Sequence, residues 1–172
     1  NDNRFLLSDE APRKGSRRNA KNPLTSAFYR EGAFKMTDKI DQALTELKTT
    51  LKPFMPVRQA QTLIDNLYHS EEAGAFADLI LNLAERIKTI PQVYETDGQG
   101  KNALAQLHYF VGSYDGYIVE KDTSDKQMQA FGWASFGYGF EAGYISIEEL
   151  LELAELDLFF TPCPVGQVIR EG

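Results

Sequence analysis

The chain has 172 residues, 42% of them apolar and 12% aromatic, which is enough for one folded domain with a sizeable core. This composition excludes a wholly disordered protein, and no apolar run approaches the roughly 20 residues that a membrane-spanning helix needs. Cys163 is the single cysteine and cannot form an internal disulfide, and the first residues lack the basic, apolar and small-residue order of a signal peptide. We therefore expect a cytoplasmic protein.

The net charge of -7 conceals an asymmetry along the chain. Residues 1–35 contain eight Lys or Arg against four Asp or Glu, a net charge of +4, so the remaining residues carry -11. A body this acidic repels phosphate backbones over roughly 8–10 Å at cellular salt, whereas the N-terminal segment would attract them. We expect a basic arm at residues 1–35, partly disordered or docked, and a single domain at residues 36–172.

Three helices are predicted within residues 37–90. The arm segment RKGSRRNAKNP has no apolar period and predicts a loop, whereas TDKIDQALTELKTTLK, VRQAQTLIDNLYH and EEAGAFADLILNLAERI repeat apolar residues at helical spacing. Thr37 or Asp38 is the expected N-cap of the first helix, and Ser70 that of the third.

The period changes to that of strands after Gly98. LHYFVGSYDGYIVEKD predicts a hairpin that turns at Ser113–Gly116, followed by strands in MQAFGWASF and YIS, a short helix IEELLEL capped by Ser146, and a last strand in AELDLFF. The order predicts an α+β fold in which an N-terminal three-helix segment packs on an antiparallel sheet of four to five strands, with one further short helix. The sheet is expected within residues 105–161.

The aromatic and glycine-rich run FGWASFGYGFEAGYI, residues 131–145, allows two interpretations. Its GYGF resembles the middle of the RNA-recognition signature, but Phe136 replaces the basic residue, Glu141 the aliphatic one and Gly143 the last ring. Alternation instead places Phe131 and Trp133 on one strand face, where we expect the rings to pack on the helices.

Two acidic groups are candidates for function. Glu120 and Asp122 are expected on one strand face and would hold a magnesium ion, although a solvated sheet face explains them equally well. Lys121 directly follows Glu120, which does not match the acid-any-lysine spacing of hairpin nucleases. The other group is expected to form an acidic protein-binding face: Glu141, Glu148, Glu149, Glu152 and Glu155.

The basic arm is the candidate for phosphate contact, against the alternative of a solvated tail. Its candidate residues are Arg13, Lys14, Arg17, Arg18 and Lys21. No cofactor is expected, because the sequence has no phosphate loop, no dinucleotide fingerprint and no zinc-type pair of histidine or cysteine.

Residues 105–162 resemble an uncharacterised domain-of-unknown-function family of plasmid-, integrative-element- and phage-borne proteins. The resemblance rests on LHYFVGSYDGYIVEKD, QAFGWASFGYGFEAGYISIEELLE and AELDLFFTP. The family pattern has a Trp after the Asp of the first turn, where this chain has Gly116. The resemblance implies that the protein is encoded on a mobile genetic element, often near anti-restriction genes. It supplies no catalytic residues that carry over to this chain.

The sequence is therefore compatible with three functions. The first is a non-enzymatic accessory protein of a mobile element that binds a host or element protein, for example a defence nuclease whose basic DNA groove it occupies. The second is a nucleic-acid-binding accessory protein that uses the basic arm, and the third is a metal-dependent hydrolase built on Glu120 and Asp122.

Overall fold

The computed structural model describes residues 23–122 and 128–169, with side chains from residue 35 onward. The fold below is that of the unit that begins at Lys35. The basic arm residues predicted to contact phosphate lie outside the described residues.

The described residues form five α-helices, one short 3-10 helix and seven strands. The helices are α1 (Pro23–Lys48), α2 (Val57–His69), α3 (Ala73–Thr89), α4 (Ile147–Leu153) and α5 (Val165–Val168), with the 3-10 helix at Gly100–Asn102. The strands are β1 (Leu104–Ala105), β2 (Leu107–Val111), β3 (Tyr114–Asp122), β4 (Gln129–Ser135), β5 (Glu141–Ser146), β6 (Glu155–Leu156) and β7 (Cys163–Pro164). The predicted α+β class is confirmed.

Helix α1 begins earlier than predicted. Thr37 and Asp38 lie inside it and cap nothing, because the helix starts at Pro23, a residue suited to a first helical turn. The predicted cap at Ser70 is also wrong: Ser70 is the C-cap of α2, and α3 starts at Ala73. The Ser70 hydroxyl still accepts a hydrogen bond from the Glu72 amide at 3.0 Å.

Five strands form one antiparallel sheet in the order β5-β4-β3-β2-β6, and β1 pairs separately with β7. The predicted hairpin is present, but Val111 pairs with Tyr114, so the turn is Gly112–Ser113 rather than Ser113–Gly116. Gly112 has φ 57°, the left-handed conformation that a two-residue hairpin turn requires. Strand β6 has only two residues, because Asp157 starts a turn by accepting a hydrogen bond from the Phe159 amide at 3.0 Å.

The two faces of the sheet bury different cores. Helices α1 to α4 cover one face, where fully buried residues such as Ile80, Leu107 and Ile118 meet. The C-terminal segment covers part of the other face, where Tyr117, Val119 and neighbouring residues form a smaller cluster.

The prediction that the large rings of β4 pack on the helices is wrong. Ala130 lies on the helical side and is fully buried, whereas Trp133 packs against the smaller cluster on the opposite face. Phe136 and Tyr138, in the turn after β4, are 71% and 99% exposed. The residues of β4 alternate as expected, but the small side chains face the helices.

Candidate functional site

The five residues predicted to form an acidic protein-binding face are all exposed, but they do not lie together on one part of the sheet. Glu141 begins β5, at one edge of the sheet, and Glu148, Glu149 and Glu152 lie on α4. Glu155 lies in β6, where it pairs with Phe110 of β2. Strand β6 is four strand spacings, about 19 Å, from β5.

The Glu120 carboxylate is buried, with 3% of the residue exposed. A bulge at Val119 shifts the register between Ile118 and Glu120, so Glu120 pairs with Phe131 and lies on the face opposite the helices. One carboxylate oxygen accepts hydrogen bonds from the amide and hydroxyl of Thr96, both at 2.6 Å. The other accepts the Tyr94 amide at 2.9 Å.

These bonds give Glu120 a structural role in holding the loop that follows α3. Asp122 lies on the same face, as its pairing with Gln129 requires. Within residues 23–122 and 128–169, no group of three or more His, Cys, Asp or Glu is placed to hold a metal ion. Metal binding at Glu120 and Asp122 therefore stays a prediction, for which the described residues supply no third ligand.

A cavity of about 490 Å³ lies against the sheet face that carries Glu120. Its walls include four aromatic residues, Tyr94, Phe131, Trp133 and Tyr144, together with the acidic residues Asp97 and Glu120. We call it the aromatic pocket. Phe131 and Trp133, which were predicted to pack on the helices, line this partly open surface instead.

Tyr94 is the most constrained residue of the pocket. Its φ of 75° lies in the left-handed region, which costs a non-glycine residue about 1–2 kcal/mol. The bond from its amide to Glu120 holds this conformation, and its ring is 76% exposed. The Tyr144 hydroxyl donates to the Tyr94 hydroxyl at 3.2 Å, and this hydrogen bond is the main cause that raises the pKa of Tyr144 to about 12.

The outer edge of β5 is a second feature of this region. In the described part of the chain β5 pairs with β4 alone, in a regular register from Ser146 to Glu141. The Ile147 amide donates to the carbonyl of Met128, so antiparallel alternation directs the backbone N–H and C=O groups of residues 142, 144 and 146 away from β4.

The opposite edge of the sheet is closed. The side-chain amide of Gln59 on α2 donates to the Leu156 carbonyl at 2.9 Å and accepts from the Leu156 amide at 2.8 Å. These two bonds satisfy the outward groups of β6. They could not be predicted from the sequence, because Gln59 and Leu156 are 97 residues apart.

The sequence also gave little signal for the aromatic pocket. Tyr94 and Thr96 belong to a segment with no periodic pattern, and their bonds to Glu120 depend on the bulge at Val119. Only the alternation of Phe131 and Trp133 in β4 indicated that two of the rings share a face.

Comparison of the chain with protein-family models, with curated proteins and with solved structures gives no match. None of the described helices has both the length and the apolar character that a membrane crossing requires.

Proposed function

We propose that this chain is a non-enzymatic binding protein that takes up an extended, basic segment of a partner protein as an added strand beside β5. The observation that carries the proposal is the outer edge of β5, which pairs with no other strand in the described residues. An edge of this kind offers a row of N–H and C=O groups to a segment of another chain.

The sequence of β5 supports strand addition. Proteins usually protect an exposed edge strand with lysine, proline or a bulge, and EAGYIS contains none of these. Ala142 and Gly143 leave room for an approaching backbone, and a Cβ added at Gly143 would meet no atom within 4 Å. The other edge is closed by Gln59, which makes β5 the available one.

Charge complementarity supports a basic occupant. Glu141 is exposed at the start of β5, and Glu148 and Glu149 are exposed in the first turn of α4, directly after the strand ends. The two groups are separated by the length of β5, about 17 Å, so they flank the edge. An added strand with lysine or arginine would meet carboxylates at both ends, which favours association and its rate.

The resemblance over residues 105–162 adds a setting to this proposal. We place the protein in a mobile genetic element, where a basic partner would be a host or element protein such as a defence nuclease. The acidic character of residues 36–172 fits a protein that competes with DNA for such a surface.

A defined peptide pair tests the proposal. A fluorescein-labelled peptide in which valine and lysine alternate is titrated with the full chain, and a peptide in which valine and glutamate alternate is the matched control. We expect the lysine peptide alone to raise the fluorescence anisotropy, and we expect NMR shifts in the amides of residues 142, 144 and 146. Higher salt should weaken the association.

The substitution Ala142→Pro removes one outward N–H and leaves the ladder to β4 intact, because proline is tolerated where the N–H faces away from the sheet. It should abolish peptide binding while circular dichroism stays unchanged. Equal binding of both peptides, or amide shifts confined to other strands, would refute strand addition at β5.

A further inference from the structure

The aromatic pocket contains a buried negative charge without a described cationic partner. The Glu120 carboxylate is 3% exposed, and its three hydrogen-bond donors, from Tyr94 and Thr96, are all neutral. Among the ion pairs of the described residues, none includes Glu120. A carboxylate in this setting favours a positive charge in the space next to it.

The walls of the pocket suit a cation that carries carbon. Phe131 and Tyr144 form an edge-to-face pair with ring centroids 5.7 Å apart, and Trp133 and Tyr94 line the same space. Ring faces attract ammonium and guanidinium groups within about 6 Å of the centroid, most strongly when water is excluded. The rings also offer apolar surface to the methyl or methylene groups around the charge.

Among the described residues, the charges near the pocket have the same sign as Glu120, with one exception. Asp97 lines the pocket, and Asp122 lies on the same sheet face. The exception is Lys101, whose ammonium is 6.0 Å from the Trp133 centroid, at the outer limit of a favourable contact.

We propose that the aromatic pocket binds an organic cation, an ammonium or guanidinium group with its attached carbon atoms, between the aromatic rings and above the Glu120 carboxylate. The volume of about 490 Å³ exceeds what a metal ion needs and is adequate for a small organic molecule or the end of a basic side chain. Ala142 and Tyr144 of β5 line the pocket, but the cation would lie on the face of the sheet and an added strand along its edge.

The test uses the fluorescence of Trp133, the one tryptophan of the chain. The full chain is titrated with choline and, in parallel, with 3,3-dimethyl-1-butanol, which has the same shape without the charge. We expect a saturable change with choline and at least tenfold weaker binding of the neutral alcohol. Equal binding of the two, or no saturable change with any cation tested, would overturn the proposal.

A second arm identifies the source of the cation. The N-acetyl methylamides of lysine and arginine represent a partner's side chains, and choline represents a free molecule. Tighter binding of the amino-acid derivatives indicates a side chain of a protein, and tighter binding of choline indicates a small molecule. Choline has no backbone to add to β5, so its result is independent of the peptide experiment.

Variants locate the bound cation. Phe131→Leu removes one ring and keeps the fluorophore, and we expect about tenfold weaker choline binding. Tyr138→Leu removes a fully exposed ring that does not line the pocket and should leave the affinity unchanged. Equal effects of the two substitutions would place the cation elsewhere and refute this site.

Discussion

The substitution Glu120→Gln tests how the loop that closes the aromatic pocket is held. The carboxylate accepts three hydrogen bonds, two at one oxygen from Thr96 and one at the other from the Tyr94 amide. Glutamine has one acceptor oxygen and one amide group that donates. Whichever way the side chain is turned, its NH₂ group faces a donor of the loop.

The expected cost follows from these contacts. The least unfavourable orientation keeps both bonds to Thr96 and leaves the Tyr94 amide without an acceptor, a loss of about 1–3 kcal/mol. The two remaining bonds lose their charge assistance, about 1 kcal/mol each, and the removal of a buried charge offsets part of the total. We expect the closed loop to lose about 2–4 kcal/mol, a roughly 30- to 700-fold increase in opening.

Native-state hydrogen exchange measures this opening at the amides of Tyr94 and Thr96. The matched control is Glu95→Gln, in the same loop and with the same change of charge. The Glu95 carboxylate accepts one bond, from the Gln92 amide at 2.7 Å, and the carbonyl of glutamine can replace it. We expect a loss below about 1 kcal/mol for this control.

The reasoning is refuted if Glu120→Gln leaves the exchange of both amides unchanged, or if the control has the same effect. An unchanged rate would mean that the loop is held by its other contacts. These include the bond from the Lys121 amide to the Pro91 carbonyl at 2.9 Å.

Other substitutions have defined outcomes as well. Gly132→Ala should lower the free energy of unfolding in urea by about 2–3 kcal/mol, because a Cβ there would clash with the backbone oxygen of Tyr117. Its cross-strand neighbour Gly143 has open space, so Gly143→Ala should change stability by less than about 1 kcal/mol, and equal losses would contradict the packing argument. Burial raises the pKa of Tyr109 above its ordinary value of 10.0, so stability is complete below about pH 10 and falls above it by about 1.4 kcal/mol per pH unit for this proton. Urea unfolding between pH 9 and 12 should therefore have a shallower pH slope in Tyr109→Phe, and an identical slope would exclude this tyrosine as the cause. Lys101→Met should strengthen choline binding several-fold in the fluorescence titration, because a like charge near the pocket is removed, and weaker binding would show that this ammonium does not oppose the ligand.

The sequence predicted the helices and strands better than the tertiary contacts that they make. Helices α2 and α3 were predictable because their apolar residues repeat at helical spacing, and Ser146 caps α4 as expected, with its hydroxyl accepting from the Glu149 amide at 3.2 Å. The hairpin was predictable as well, but not its turn. GSYDG contains two glycines, and only the pairing of Val111 with Tyr114 determines which one turns the chain.

The orientation of the β4 rings could not be predicted, because it depends on distant residues. Alternation places Phe131 and Trp133 on one face, but either face of an antiparallel strand can be the buried one. Here the C-terminal residues Val165 and Ile169 build a second cluster on the face opposite the helices, and Trp133 packs against it. The period of β4 carries no information about that segment.

The bulge at Val119 decides the charge of the aromatic pocket. If Val119 paired in the regular ladder instead of bulging, the alternation of β3 after Ile118 would direct Glu120 toward the helices and Lys121 toward the pocket. With it, the Lys121 ammonium donates to the carbonyls of Ile87 and Lys88, at 2.6 and 3.2 Å, where the negative end of the α3 dipole favours a cation. The same inserted residue therefore provides a positive charge for the end of α3 and a negative charge for the pocket. Deletion of Val119 would remove the bulge without moving either charge, because Ile118 and Glu120 already pair with the adjacent residues Gly132 and Phe131. The charges would exchange only if Val119 stayed and paired in the ladder, so we expect the deletion variant to keep its preference for cations.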